Sequence, residues 1–562
     1  MVGFVTMLAA VATLGAACGS DGSGGRPAAG ASAPSSQAPA AAPTAGADPA
    51  AQAAAAIAKF GDEDLVGQVL MPYAYGSDAN TVPDAAKAEN RAYAGVATPA
   101  EMVKKYRLGG LILMGWTVND PTSSTNKSSN VDSPQQIFTL TKGLNEAAGG
   151  ALPLLIGTDQ EYGVVTRIRS GVVQLPSAMA FGAARKPELT EAAWKAAGGN
   201  LAALGINVDF APDADVLGAR SAVIGSRSYG NNPDVVAEQV VASTKGLQGA
   251  GVAASLKHFP GHGNTSGDSH EVLPALTQDM AALQNVDLKP FDAGIKAGVA
   301  MVMTGHLDVK AVDPGVAATF SSKVLVDLLR TRMGFTGVAV TDAMNMEPAK
   351  KYSPGEAAVK ALLAGNDLLL MPPNLQQAHK GLLDALKSGA LPRERLKEAA
   401  TRVLTLRYKL AAHSRPDMST LDSAADRAAA QAVAAAGITV YKGQCTVSAS
   451  TGVTIVADAK WAQSRQWLTE ALAAQGIPVK ESGGKRVRLI GYGEGSSAVG
   501  PADITVAMDT PFVLQNAQGA LVATFSGGQA SMIGLAAVLA GKQKPTGQAP
   551  VPVTGLSAKT SC

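Results

Sequence analysis

The sequence predicts an α/β protein, a (β/α)8 barrel of the TIM type followed by a smaller C-terminal α/β sandwich domain. Three observations carry that expectation. Short, nearly continuous apolar runs recur at helix-length spacing, from QVLMPYA at residue 68 to DLLLMP at residue 367. Several of these runs end in a charged or imidazole side chain. After Leu410 the segment HSRPDMSTLD breaks the pattern, and a second, shorter series of apolar runs begins.

In chain order, the opening MVGFVTMLAAVATLGAACGS is an apolar stretch too short for a bilayer span that ends in small residues at a cysteine. That is the pattern of a signal peptide with a lipobox over residues 1–18, with Cys18 as the candidate lipid-bearing residue. No Lys or Arg precedes Arg26, so plain secretion is the alternative. Either way the chain is expected to be exported to the cell envelope, and lipidation would place it on the outer face of the plasma membrane. Residues 19–57 are almost wholly Ala, Pro, Gly and Ser, a composition that cannot bury enough apolar surface to offset ordering entropy, and are expected to form a disordered tether.

The barrel is expected over residues 58–411. Between the first and last runs come GGLILMG at 109, PLLIGTD at 153, INVDFAP at 206, VAASLKH at 252, AMVMTGH at 300 and GVAVTDA at 337. Strands that lack polar alternation are those of a parallel sheet covered by helices on both faces. An open doubly wound sheet shares this alternation, but eight strands favour a closed barrel. Residues 412–422 read as a linker, and residues 423–562 as the sandwich domain. That domain starts with an Ala-rich helix around 424–436, continues with ITVY, VTIVA, VRLIG, ITVAM and ALVATF, and has helical stretches near 461–474 and 529–541. GYGEGSS at 491 lacks the strand-to-helix context of a phosphate loop. Cys445 and Cys562 are left open as a disulfide or as two thiols.

Charge narrows the partners. Forty-seven Lys and Arg against 45 Asp and Glu give a net charge of +2 with no dense basic run, so neither a nucleic-acid footprint nor a polybasic membrane patch is expected. Membrane contact is confined to a lipid anchor at Cys18.

Asp159, Asp209, Lys257 with His258, His306 and Asp342 lie at the C-terminal ends of apolar runs, the rim on which a barrel builds its active site. The densest segment is KHFPGHGNTSGDSH, residues 257–270, a loop punctuated by Gly and Pro. Zinc ligation by His258 and His262 would need a helix to bring the two imidazoles together, and Phe259-Pro260-Gly261 prevents one, so no metal is expected. Asp268 stands two residues before His270; a carboxylate so placed can accept the imidazole N–H, fix its tautomer and leave the other nitrogen for proton transfer. Asp342 is suited to attack on an anomeric carbon opposite that pair.

TDQEYGVVTRI at 158, NVDFAPDADV at 207, IGSRSYG at 224, KHFPGHGNTSGDSH at 257, MTGHLDV at 303 and MGFTGVAVTDAMNM at 333 together resemble the NagZ-type β-N-acetylglucosaminidases of glycoside hydrolase family 3. The resemblance covers residues 60–410 in order, and the C-terminal part is similar to the second domain of the two-domain Gram-positive and mycobacterial lipoprotein members. It implies a retaining exo-β-N-acetylglucosaminidase acting on terminal β-GlcNAc of peptidoglycan-derived fragments. Asp342 would be the nucleophile, His270 the proton donor and acceptor and Asp268 its partner, while Asp159, Arg167, Arg227, Lys257 and His258 would bind the terminal sugar. The implied partners are a GlcNAc-containing saccharide or muropeptide, with no cofactor and a monomeric state. EYGVVTR departs from the Glu-Gly-Gly run common in that family, Tyr162 and Val164 thickening the loop before Arg167. The alternatives are a β-N-acetylglucosaminide phosphorylase, a β-glucosidase or β-xylosidase of the same family, and a non-catalytic envelope-binding lipoprotein.

Overall fold

The computed structural model describes residues 40–115, 120–122, 128–218, 221, 223–265 and 267–558. The expected signal peptide, most of the tether, Cys18 and Cys562 lie outside the described residues. Cys445 is buried and disulfide-bonded.

All eight expected barrel runs supply strands: β1 (Leu70–Met71), β2 (Gly110–Ile112), β3 (Leu155–Thr158), β4 (Val208–Asp209), β5 (Ala253–Phe259), β6 (Met301–Thr304), β7 (Val338–Thr341) and β8 (Leu369–Leu370). From β2 to β7 each strand pairs in parallel with the next, and β8 pairs with β1. Two links close the ring. A parallel bridge joins Val340 to Leu368, and the Ile112 amide donates to the Pro72 carbonyl at 3.0 Å. Each strand is buried along its whole length, the condition under which uninterrupted apolar runs are stable as parallel strands.

Local signals set the helices around the ring. Thr98 and Glu101 form a capping box, and Asn232, Ser353 and Asn374 accept from the first-turn amides of their helices. The sequence reading is corrected at the end of the tether, because Pro49–Ile57 is a helix. Asp48 caps it, Pro49 sits in its first turn, and Ala53, Ala56 and Ile57 bury a stripe with i, i+3, i+4 spacing beside helix Arg393–Ala411. Alanine is the strongest helix former, so an Ala-rich stretch orders once one face finds a neighbour. The linker is also docked: the Asp422 amide donates to Asn200 Oδ1 at 2.9 Å, and the Arg415 guanidinium lies 4.3 Å from the Phe138 ring centroid.

The C-terminal half contains β9 (Thr439–Lys442), β10 (Val453–Val456), β11 (Lys485–Ile490), β12 (Ile504–Ala507) and β13 (Ala520–Ala523), in the order β9-β13-β12-β11-β10 with β9 antiparallel. Side chains on a strand alternate between faces, and here the two faces have different neighbours. Val440, Val506, Ala520 and Val522 pack with Leu468, Leu472 and Leu535 of helices Ala462–Ala474 and Gln529–Leu539. Tyr441, Ala507, Leu521 and Ala523 pack instead with Met179, Leu217, Val223 and Ile224 of the barrel half. Helix Ala424–Gly437 continues the seam, coming so close to the barrel at Gly437 that a Cβ there would lie 2.6 Å from the Ala180 carbonyl oxygen.

Candidate active site

The C-terminal ends of the strands open onto a cleft, and every described residue lining it comes from the barrel half. Asp342 follows β7 directly. Its amide donates to the Thr304 carbonyl at 3.0 Å, and its Oδ1 accepts the Ala343 amide at 2.7 Å, which fixes the carboxylate facing the cleft. Burial pushes this carboxyl up, but the imidazoles of His258, His306 and His270 and the Ala343 amide outweigh it and hold Asp342 below the usual carboxylate range.

His270 lines the same cleft from the loop after β5. Its Nδ1 lies 2.7 Å from Asp268 Oδ1, and its amide donates to the same oxygen at 2.9 Å. A carboxylate only accepts, so Nδ1 carries the proton and Nε2 is the nitrogen left for exchange. Asp268 stands behind the imidazole. Burial raises its carboxyl, and the hydrogen bonds from His270 bring it below the usual range.

On the opposite wall, a hairpin of Gln160–Tyr162 and Val165–Thr166 presents acidic and basic groups. Lys257 Nζ donates to Asp159 Oδ1 at 2.8 Å and contacts Glu161 Oε1 at 2.6 Å. Arg227 is forked onto Glu161, with Nε to Oε2 at 2.7 Å and Nη2 to Oε1 at 2.9 Å, and its Nη1 donates to the Val223 carbonyl. Burial opposes ionisation of Glu161, yet Arg227 and Lys257 hold it well below the usual carboxylate range. Arg167 pairs with Asp120, donates to Thr122 Oγ1 at 2.8 Å and comes within 3.6 Å of Asp159. The thickened loop does not displace it, because the Tyr162 ring turns into the core against Trp194, edge-on at 5.6 Å.

The Lys257–His258 peptide is cis, and both side chains line the cleft. His258 Nε2 is 3.3 Å from Arg227 Nη2; a guanidinium only donates, so Nε2 accepts and the Nδ1 proton goes to Asp215 Oδ2 at 2.8 Å. Burial and the Arg227 charge push His258 down to about 4. Asp213, Asp215 and His258 form a carboxylate-imidazole group of the kind that can hold a cation. Asp215 accepts the His258 ring N–H and the His258 and His262 amides, and His258 Nε2 accepts from Arg227, whereas Asp213 Oδ2 has no hydrogen-bond partner among the described residues and lies 3.8 Å from Arg227 Nε. His262, the other half of the rejected zinc pair, bonds Thr265 Oγ1 through Nδ1 at 2.7 Å.

Of the residues singled out in the sequence, Asp159, Arg167, Arg227, Lys257, His258, His262, His270 and Asp342 line this one cleft. Asp209 and His306 do not. Asp209 accepts the Gln160 amide at 2.9 Å beneath the hairpin, and His306 lies 3.1 Å from the carbonyl of Ala343, the residue after Asp342. Glu161, Asp215 and Asp120 were missed. Glu161 had a signal: it follows Asp159 by two, the spacing that returns a strand side chain to the same face.

Residues 65–406 match the family profile described as the glycosyl hydrolase family 3 N-terminal domain. The β-hexosaminidase A of Pseudoalteromonas piscicida is 35% identical over 341 residues, which is 55% of this chain and 55% of that protein. The chain thus spans about half the length of that relative. A β-hexosaminidase of Thioalkalivibrio sulfidiphilus is 39% identical over 240 residues, covering 42% of this chain and 68% of the relative. Among solved structures, a family 3 β-N-acetylglucosaminidase from Paenibacillus sp. matches with a TM-score of 0.76 at 29% identity, over 88% of this chain and 99% of that one.

Proposed function

Because the chain belongs to glycoside hydrolase family 3, we propose that it is a retaining exo-β-N-acetylglucosaminidase that removes terminal β-GlcNAc from peptidoglycan-derived fragments. The observation that carries this reading is that Asp342 and His270 line one cleft, with Asp268 behind the imidazole. Protonated His270 gives its Nε2 proton to the glycosidic oxygen as Asp342 attacks the anomeric carbon, forming a glycosyl ester and releasing the aglycone. Neutral His270 then takes a proton from water, which attacks the ester and restores free Asp342 with retained configuration. The lowered Asp342 carboxyl is charged for that attack at neutral pH.

Asp159, Arg167 and Lys257 face the sugar with acceptors and donors suited to its hydroxyls, and Arg227 and Glu161 orient His258 and Lys257. Acid, base and nucleophile are all side chains, so the reaction needs no cofactor. The β-hexosaminidase relatives and the Paenibacillus enzyme support the choice of sugar. We place the enzyme outside the cytoplasm, at the cell envelope, on the strength of the leader over residues 1–18 and its Cys18.

The test is turnover of an aryl N-acetyl-β-glucosaminide by the natural protein and by Asp342→Ala, with mass spectrometry of a 5-fluoro sugar adduct. Turnover lost in the variant and a label on the peptide containing Asp342 are expected. A label elsewhere, or activity retained in Asp342→Ala, would reject the assignment. Running the same assay with added phosphate separates hydrolysis from phosphorolysis, which would yield the sugar 1-phosphate.

A further inference from the structure

The loop that carries the Asp268–His270 pair is fastened near its two ends. At its root the His262 amide donates to Asp215 Oδ1 at 2.6 Å, the Gly218 amide donates to the Gly263 carbonyl at 3.1 Å, and Asn264 Nδ2 donates to Asp287 Oδ1 at 2.7 Å. At its far end the Asp308 amide donates to the Pro274 carbonyl at 2.8 Å. Between these points, among the described residues, the hydrogen bonds of Asp268, His270, Glu271 and Val272 are made with one another. Val272 and Leu273 stand exposed. The imidazole therefore takes its position from the root, and among the described residues the Asn264–Asp287 bond is the last that ties the root to another element before His270.

Asp287 is placed as a post for that root. It directly precedes helix Leu288–Lys296, where an aspartate ordinarily accepts from first-turn amides, but it makes no such cap and gives its carboxyl to the loop. The helix is held on β5, the strand that feeds the loop. Phe291 meets Phe259 edge-on at 5.3 Å, and a Cβ at Gly294 would lie 2.4 Å from the Leu256 side chain. The loop closes round the post. Gly261, at φ +126°, comes so near that a Cβ there would lie 2.8 Å from the Asp287 Cβ, and a Cβ at Gly218 would strike the Asn264 amide. Asn264 is thus wedged between Gly218 and Asp287.

The carboxyl is fully buried, and among the described residues it has no ion-pair partner and its Oδ2 makes no hydrogen bond. Burial pushes it up to about 6, against the opposing effect of the Asn264 amide and its own backbone N–H. An unsatisfied buried oxygen works against stability. The one side chain this carboxyl holds is Asn264.

We propose that Asp287 is a positioning residue for His270: by accepting from Asn264 it fixes the root of the acid/base loop, and with it the place at which the imidazole meets the glycosidic oxygen. The proposal rests on the assignment of His270 as acid and base. Asn264 requires only an acceptor, so Asp287→Asn preserves the contact. Without an acceptor the loop samples positions out of reach, and a misplacement of about 1 Å lowers a rate by about 10²-fold.

The experiment compares the full chain with Asp287→Ala, Asn264→Ala, the double variant and Asp287→Asn on two substrates. One is an alkyl N-acetyl-β-glucosaminide, whose leaving group needs a proton; the other is the dinitrophenyl compound, whose leaving group does not, read as its first-turnover burst. Each alanine variant is expected to lose about tenfold or more in kcat on the alkyl compound with KM within twofold, and to keep its burst rate within twofold. The double variant is expected to lose no more than either single one, because both remove the same bond. Asp287→Asn is expected to stay within twofold of the natural protein on both. Equal losses on the two substrates, no loss on the alkyl compound, a double-variant loss equal to the product of the single losses, or Asp287→Asn as impaired as Asp287→Ala overturns the proposal. Should Asp287→Ala not fold, Asn264→Ala and Asp287→Asn decide it by the same criteria. Hydrogen exchange of the peptide carrying Asp268 and His270 gives a readout independent of turnover: exchange about fivefold faster in Asn264→Ala and unchanged in Asp287→Asn supports the tie, and equal rates in all variants refute it. Failure of the natural protein to cleave either glycoside would reject the glycosidase reading while leaving that exchange comparison decisive for what Asp287 holds.

Discussion

His262 lines the cleft with Nδ1 bonded to Thr265 Oγ1 and, among the described residues, no partner for its buried Nε2. Burial and the neighbouring His258 push it down to about 3, so the folded protein refuses a proton that the unfolded chain accepts near pH 6.5. The unfolded state therefore binds more protons, and this residue's contribution to stability, complete above pH 6.5, is lost as pH falls towards 3. By linkage the loss is about 2 kcal/mol near pH 5. Urea denaturation of His262→Asn is expected to show a shallower decline than the natural protein between pH 7 and 5; parallel declines would contradict this assignment. At His270 the expected signature is dependence on the leaving group. His270→Gln should lose about 10²- to 10⁴-fold in kcat on an alkyl glycoside that needs protonation, and much less on a nitrophenyl glycoside that does not. An equal loss on both would remove His270 from the acid role. Lys257, His258, Asp268 and His270 were legible because one loop holds them together in sequence, and Asp342 because it closes an apolar run. Glu161 and Asp215 were not, since each acquires its meaning from a partner far along the chain: Arg227 is 66 residues from Glu161, and His258 is 43 from Asp215.

At the level of elements, the hairpin over residues 160–166 does more than its length suggests. Glu161 is the shared acceptor of two buried cations, Arg227 and Lys257. Glu161→Ala leaves both under-compensated, and breaking such a buried pair costs about 3–5 kcal/mol. A fall of that size in unfolding free energy is expected from urea titration, together with a raised KM for the aryl glycoside; a loss under about 1 kcal/mol would mean that Asp159 and water already neutralise the pair. All eight barrel strands and all five sandwich strands were legible, because continuous apolar runs of that length have few other destinations. The helix Pro49–Ile57 was not. Its composition is that of an unstructured tether, and only the neighbouring helix Arg393–Ala411 supplies the surface that makes its Ala53, Ala56 and Ile57 stripe worth ordering.

Across the whole molecule, the barrel and the C-terminal sheet share an apolar seam in which Leu217, Val223 and Ile224 meet Tyr441, Leu521 and Phe525. Ser226, beside Arg227, also hydrogen-bonds Asp509 across it, and the Asn231 amide donates to the Pro550 carbonyl at 2.9 Å. A chain ending at residue 411 uncovers the barrel side of that seam and leaves the segment carrying Arg227 unsupported. It is expected to precipitate or to bind a hydrophobic dye strongly, whereas the full chain should lose activity and helical signal in one coincident thermal transition. A soluble, fully active barrel fragment would show that the seam is dispensable.

The family match ends at residue 406, and among the described residues the cleft draws no lining residue from beyond Met371. The reactive apparatus and the outer lobe therefore answer to separate constraints. On the proposed reading, substitutions on the lobe that respect the buried seam are expected to leave bond cleavage untouched.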